Sequence, residues 1–273
     1  MKLKVIPFQF ISPLSLFLLL GSLSMITGCT PDKGGSLGQK ATASFTMTKV
    51  NGKANTYALQ STSKNAINYQ WLKGMGDYAA GQATDTAYFP LKGTYKVVLR
   101  AFGRGGYDTA AQSVTIDADD IQNNAQFKLL VANSWKLDPN DGSIIVGTDG
   151  NPAQYFGGGA IADCQKDDVY TFKSDFTLTY NSNGATFNGG NIAPNFSCGS
   201  DRSYTNYAFT FVPGATGAGI ATITLAGAVP AHFIGVTDVS SNNYRIISIS
   251  PGALVLRSGT ASEAVHQFKF IAQ

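Results

Sequence analysis

From Ala41 to the C-terminus, apolar residues recur at every second position in short runs broken by Gly, Asn, Asp and Ser. A period of two places alternate side chains on one face of an extended chain, so each run reads as a half-buried strand. Ala43, Phe45 and Met47 set the phase of the first run. Runs at 55–61, 66–72, 93–101 and 112–116 follow; Ile67, Tyr69 and Trp71 share one phase, and Tyr95, Val97 and Leu99 another. A second series occupies 143–147, 169–172, 176–180, 204–212, 219–225, 232–236, 244–248, 253–257 and 265–271. Lys173-Ser174-Asp175 and Ser250-Pro251-Gly252 join two pairs of these as hairpins. The stretch 127–132 fits either one helical turn or a first strand. The alphabet agrees with an all-β chain. Sixteen Asp stand beside a single Glu, Glu263, and only 14% of residues are charged, where solvated helices draw on Glu and Lys.

The first 28 residues read as an export leader: Lys2 and Lys4 precede the apolar run Leu14 to Leu20. Pro7, Gln9, Ser12 and Pro13 interrupt the segment, which is shorter than the about 20 apolar residues a spanning helix needs. Without the leader the net charge of +3 falls to +1, 18 basic against 17 acidic residues, which leaves no basic footprint for nucleic acid. Met25-Ile26-Thr27-Gly28-Cys29 resembles the lipobox of bacterial lipoproteins. That resemblance implies cleavage before Cys29, a lipid on its thiol and membrane attachment; an ordinary leader with a chance cysteine is the alternative. Residues 29–40 then read as a tether. With Cys29 set aside, Cys164 and Cys198 remain as an even pair in an exported chain. A bridge would be worth about 3 to 4 kcal/mol by loop closure; two separate buried thiols are the other reading.

Within 41–118, Tyr69-Gln70-Trp71, Gly76-Asp77, Gly93-Thr94-Tyr95-Lys96-Val97-Val98-Leu99 and Gly105-Gly106-Tyr107-Asp108 resemble a PKD domain. The segment 72–78 departs from that family's pattern by carrying extra residues. Five or more short strands within about 80 residues indicate an immunoglobulin-like sandwich. The in-phase Ile67 and Tyr69 favour Trp71 as a core residue over a sugar-stacking platform, and the resemblance implies a spacer role. Residues 119–128 read as a linker. In 129–273, Trp135-Lys136-Leu137-Asp138, the segment Cys164 to Phe172, and the closing Tyr244-Arg245-Ile246, Leu254-Val255-Leu256 and Phe268-Lys269-Phe270 resemble bacterial lipocalin-like lipoproteins. This implies an antiparallel β-barrel with Trp135 in its core. Together the resemblances imply a cell-surface lipoprotein of a polysaccharide-utilising bacterium, lipid-anchored in the outer membrane beside uptake-complex proteins, with the barrel holding polysaccharide or oligosaccharide.

Catalysis finds little support in the residues. One Glu excludes a Glu pair for glycoside hydrolysis, and adjacent Asp167 and Asp168 would point to opposite faces of a strand. There is no GxSxG elbow, and the glycine runs lack the Lys-Ser/Thr of a phosphate loop. We assign no catalytic residue and expect no cofactor; an Asp-dependent hydrolase and a purely structural lipoprotein are the competing readings. Asp138 and Asn140 lie in an acidic turn that is a weak calcium candidate. Sugar recognition needs exposed aromatic faces beside planar polar groups. The irregular segments 151–159, 187–196 and 201–207 supply these, with Tyr155, Phe156, Asn191, Asn195, Arg202 and Tyr204 as the candidates.

Overall fold

A computed structural model of the chain describes residues 38–187, 197–227, 232–260, 262 and 264–273. The architecture is all-β, in two packed units. In the first, β1 (Phe45–Lys49), β2 (Thr56–Ser61) and β5 (Thr84–Tyr88) form one antiparallel sheet. The second sheet has the order β4-β3-β6-β7, from β3 (Asn68–Lys73), β4 (Ala79–Gly81), β6 (Gly93–Gly103) and β7 (Gly106–Ile116). Their inward residues meet in one cluster around Trp71, which lies edge-on to Phe45 at 5.2 Å. The indole N–H donates to the Gln82 carbonyl at 3.0 Å, so the buried polar atom is satisfied.

The alternation held for Tyr69 and Trp71 but not for Ile67, which precedes β3 and is 70% exposed. Strands β4 and β5 carry no apolar alternation, because β5 turns only Ala87 fully into the core among Thr and Asp. Backbone pairing with β2 over Thr56 to Gln60 defines β5 instead.

The segment 117–124 is hydrogen-bonded on both sides. Asp120 N–H donates to Pro90 O at 2.7 Å, Lys92 N–H to Asp119 Oδ1 at 2.7 Å, and the Tyr88 hydroxyl to Asp120 O. Beyond it, Gln122 donates to Ser174 O at 3.2 Å. Asn124 then caps helix α1 (Ala125–Ala132), its side chain accepting from Phe127 N–H at 3.0 Å. Phe127 and Leu130 enter the core of the second unit.

That unit is a closed antiparallel barrel of eight strands. Its order is β17-β16-β15-β14-β11-β10-β8-β18, with β18 returning to β17. The strands are β8 (Ser134–Leu137), β10 (Val169–Phe172), β11 (Thr177–Asn181), β14 (Tyr204–Thr216), β15 (Gly219–Leu225), β16 (Asn243–Ile249), β17 (Ala253–Ser258) and β18 (Val265–Ala272). A further strand, β9 (Ile144–Gly147), continues the edge that β8 begins along β18. The short pair β12 (Ala185–Phe187) and β13 (Cys198–Ser200) lies outside the barrel sheet. Closure pairs β18 with β17, and β9, at the end of the sheet, is bonded on its other side to Tyr155 and Phe156 through Val146. Inward residues alternate with outward ones, and Trp135, Tyr170, Phe172, Tyr180, Tyr244, Phe268 and Phe270 are all fully buried. Aromatic rings therefore fill the interior. At one end α1 closes it: the Trp135 indole donates to Leu130 O at 2.9 Å, and Phe176 stacks on Phe127 at 5.0 Å. Phe176 holds a φ of 63° in the tight β10–β11 turn, a conformation a bulky residue adopts at a cost its ring contacts offset.

Candidate functional site

Antiparallel order sends the chain out of the barrel at the same end after β9, β11, β15 and β17, opposite α1. The segments 151–159 and 201–207 both border this end, but β11, β10 and β8 separate β14 from β18 and its partner β9. They therefore stand on opposite sides of the mouth. Asn191 and Asn195 lie outside the described residues, as does Cys29.

The mouth is closed by 232–236. Ile234 N–H donates to the Tyr244 hydroxyl at 3.0 Å and Gly235 N–H to the Tyr170 hydroxyl at 3.0 Å, while the Tyr204 hydroxyl donates to Phe233 O at 2.8 Å. Phe233, Ile234 and Val236 are buried in the barrel core. At Gly235 φ is +93° and a Cβ would fall 2.6 Å from the Phe268 ring, so this position requires glycine. The sequence suggested a strand at 232–236. The neighbours Phe233 and Ile234 are both buried, so no in-and-out alternation is present, and the Phe233 carbonyl and the Ile234 and Gly235 N–H groups pair with tyrosine hydroxyls of the barrel wall rather than with a neighbouring strand.

Of the candidates, Tyr204 is a wall residue of this plug, buried and hydrogen-bonded inward. Arg202 lies with its guanidinium carbon 5.3 Å from the Phe233 ring, and His232 stacks on Tyr207 at 3.6 Å. Beside them Asp201 is held down to about 2 by hydrogen bonds from Ser182 and Ser203. Across the mouth, Tyr155 is 62% exposed and Phe156 half-buried. Both backbone N–H groups donate to Val146 O at 2.9 Å, and the turn before them is closed by Gln154 N–H to Asn151 O at 3.1 Å.

That turn rests on a group the sequence reading missed. Arg245 and Arg257 face each other directly across β16 and β17, both buried. Two cations opposite one another repel, and Asp149 lies between them. Its Oδ1 is 2.8 Å from Arg245 Nη1 and 2.7 Å from Arg257 Nη1. Burial pushes the Asp149 carboxyl up, and the hydrogen bonds and charges of Arg257 and Arg245 more than offset that, leaving it below the usual carboxylate range. Gln267 takes the remaining fork of Arg257 at 2.6 and 3.0 Å, and Gly259 O accepts from Arg245 Nε at 2.9 Å. The available signal was the pair of arginines in strands that otherwise alternate apolar residues.

A second buried polar group sits under the other side of the mouth. Asp168 is fully buried; its Oδ2 accepts from the Tyr180 hydroxyl at 2.9 Å and from Thr186 Oγ1 at 3.3 Å, while Oδ1 has no partner among the described residues. Burial raises this carboxyl to about 7 against those hydrogen bonds, with the Asp167 charge adding to the rise. Asp167 is exposed, so the two neighbours do point apart. Cys164 and Cys198 are bridged, with Cα atoms 6.2 Å apart, which ties the 3-10 turn Asp163–Gln165 to β13. Asp138 Oδ1 accepts from the Asn140 N–H and side-chain amide at 3.0 and 2.7 Å, a local turn that already uses this oxygen. Among the described residues no group of three or more His, Cys, Asp or Glu is placed to hold a metal ion.

No family model and no curated protein matches the chain. Among solved structures it is similar to the PKD1 domain of the Vibrio cholerae metalloprotease PrtV, with 27% identity over 29% of this chain and 100% of that one, TM-score 0.26. The PKD1 domain of Vibrio anguillarum Epp matches with 16% identity over 29% of this chain and 96% of that one, TM-score 0.26. A structure described as a carbohydrate-binding module of the β-sandwich superfamily matches with 14% identity over 86% of this chain and 92% of that one, TM-score 0.27.

Proposed function

We propose that this chain is an exported, lipid-anchored surface protein whose barrel binds polysaccharide without cleaving it, with the N-terminal sandwich as its spacer. The filled barrel is the observation that carries the reading. Because aromatic side chains and the 232–236 plug occupy the interior, a ligand of this unit is held on the rim rather than inside. On that rim Tyr155 presents an exposed ring on a turn braced by Val146 and by the buried arginine pair. A backbone held before binding lowers the ordering cost of bringing that ring onto a sugar face. Arg202 supplies a charged group on the opposite side of the mouth. Attachment through Cys29 would place the molecule on the outer membrane facing solvent and neighbouring uptake proteins.

The test is affinity electrophoresis of the soluble chain beginning at Thr30 through gels containing single polysaccharides. The Tyr155→Ala, Phe156→Ala double variant is expected to stay folded and lose retention on the retarding glycan. Retention unchanged by the double variant moves the site away from this turn.

A further inference from the structure

The outward face of the sandwich's four-stranded sheet carries a side-chain row that a merely solvated sheet does not need. Across β3, β6 and β7 the register aligns Gln70, Arg100 and Thr109 in one row and Asn68, Phe102 and Tyr107 in the next. These positions alternate with the inward Trp71, Leu99 and Ala101. The Arg100 guanidinium carbon lies 3.9 Å from the Tyr78 ring centroid and 5.1 Å from that of Tyr107. Gln70 Oε1 accepts from Arg100 Nη1 at 3.3 Å, and Phe102 braces Tyr107 at 5.6 Å. Tyr107 remains 52% exposed. Among the described residues no carboxylate forms an ion pair with Arg100, and its Nε–H, shielded from solvent, has no acceptor.

The rings cover the faces of the guanidinium, Gln70 takes Nη1 and Nε is shielded, which leaves Nη2 as the donor that meets a carboxylate. The surrounding charge has the matching sign: residues 41–118 hold eight Lys or Arg against four Asp, a net +4. Planar amides at Asn68 and Gln70 beside a part-exposed phenol ring are the groups that hydrogen-bond hydroxyls and stack on a sugar ring. We propose that this face is a second binding site, for an anionic polysaccharide: a uronate carboxylate meets Arg100 and a sugar ring stacks on Tyr107. This gives the spacer unit a ligand of its own, independent of the barrel rim.

Titration calorimetry of the soluble chain with polygalacturonate, and with a neutral β-glucan as the uncharged comparison, tests it. Binding to polygalacturonate should fall at least tenfold in Tyr107→Ala and in Arg100→Gln, while Tyr107→Phe keeps it. Lys64→Gln, which removes the same charge elsewhere on this unit, should leave it within twofold. Near-ultraviolet dichroism checks that each variant is folded. The site is overturned by absence of polygalacturonate binding, by Tyr107→Ala binding as wild type, or by Lys64→Gln losing as much as Arg100→Gln. Loss in Tyr155→Ala with Tyr107→Ala unaffected would assign the acidic glycan to the barrel rim.

Discussion

Replacing Asp168 with Asn should make the barrel more stable at alkaline pH, because the native carboxyl is buried without a cationic partner. Its pKa is raised from 3.8 to about 7. An unfolded chain releases this proton near 3.8, whereas the folded chain retains it to about 7, so between those values the folded state binds more protons. Stability therefore falls as pH rises through this window, and the loss is complete above pH 7. At about 1.4 kcal/mol per pH unit the full penalty is about 4 kcal/mol. Asn keeps an oxygen for Tyr180 and Thr186 and carries no charge. Asp168→Asn is expected to exceed wild type by about 2 to 4 kcal/mol at pH 8 and to match it at pH 4. Urea unfolding at pH 4, 6 and 8, followed by near-ultraviolet dichroism of the buried tyrosines, measures the difference. A variant less stable than wild type at pH 8, or a gap that does not change with pH, would refute the reasoning.

Asp149→Ala leaves two opposed guanidiniums buried without their carboxylate and should destabilise the barrel by about 3 to 5 kcal/mol in chemical denaturation; a change under about 1 kcal/mol would mean that water reaches the pair. Replacing Cys164 and Cys198 together by Ser should lower stability by about 3 to 4 kcal/mol, the loop-closure value for their separation of 34, read from the urea midpoint. An unchanged midpoint would show that other contacts already order the bridged segment.

Most of the strand architecture could be read from period-two alternation, because nearly every barrel strand buries one face and exposes the other. Gly219 to Leu225 and Val169 to Phe172 coincide with the strands observed. Alternation failed where backbone pairing rather than side-chain burial defines the strand, as in Ala79–Gly81 and Thr84–Tyr88. It misled at 232–236, where hydrophobic residues plug a mouth instead of lining a sheet. The even pair of cysteines allowed a bridge, but only the fold brings Cys164 beside Cys198. The buried groups were out of reach for a related reason. Nothing in a linear pattern says that Asp149 crosses to Arg245 and Arg257, which depends on barrel closure, or that Asp168 meets Tyr180, which depends on the exact register and burial of the β10–β11 hairpin. Tyr155 was visible as an aromatic in a loop, whereas the role of Tyr204 was decided by a hydroxyl pointing inward to Phe233.

The claim that this chain holds polysaccharide on a rigid surface is tested most directly by the electrophoretic mobility of the soluble wild-type chain in gels containing a panel of neutral and acidic polysaccharides. The account predicts clear retardation on at least one glycan, with no release of reducing sugar during the run. Free mobility on every glycan, or retardation accompanied by product release, would contradict it.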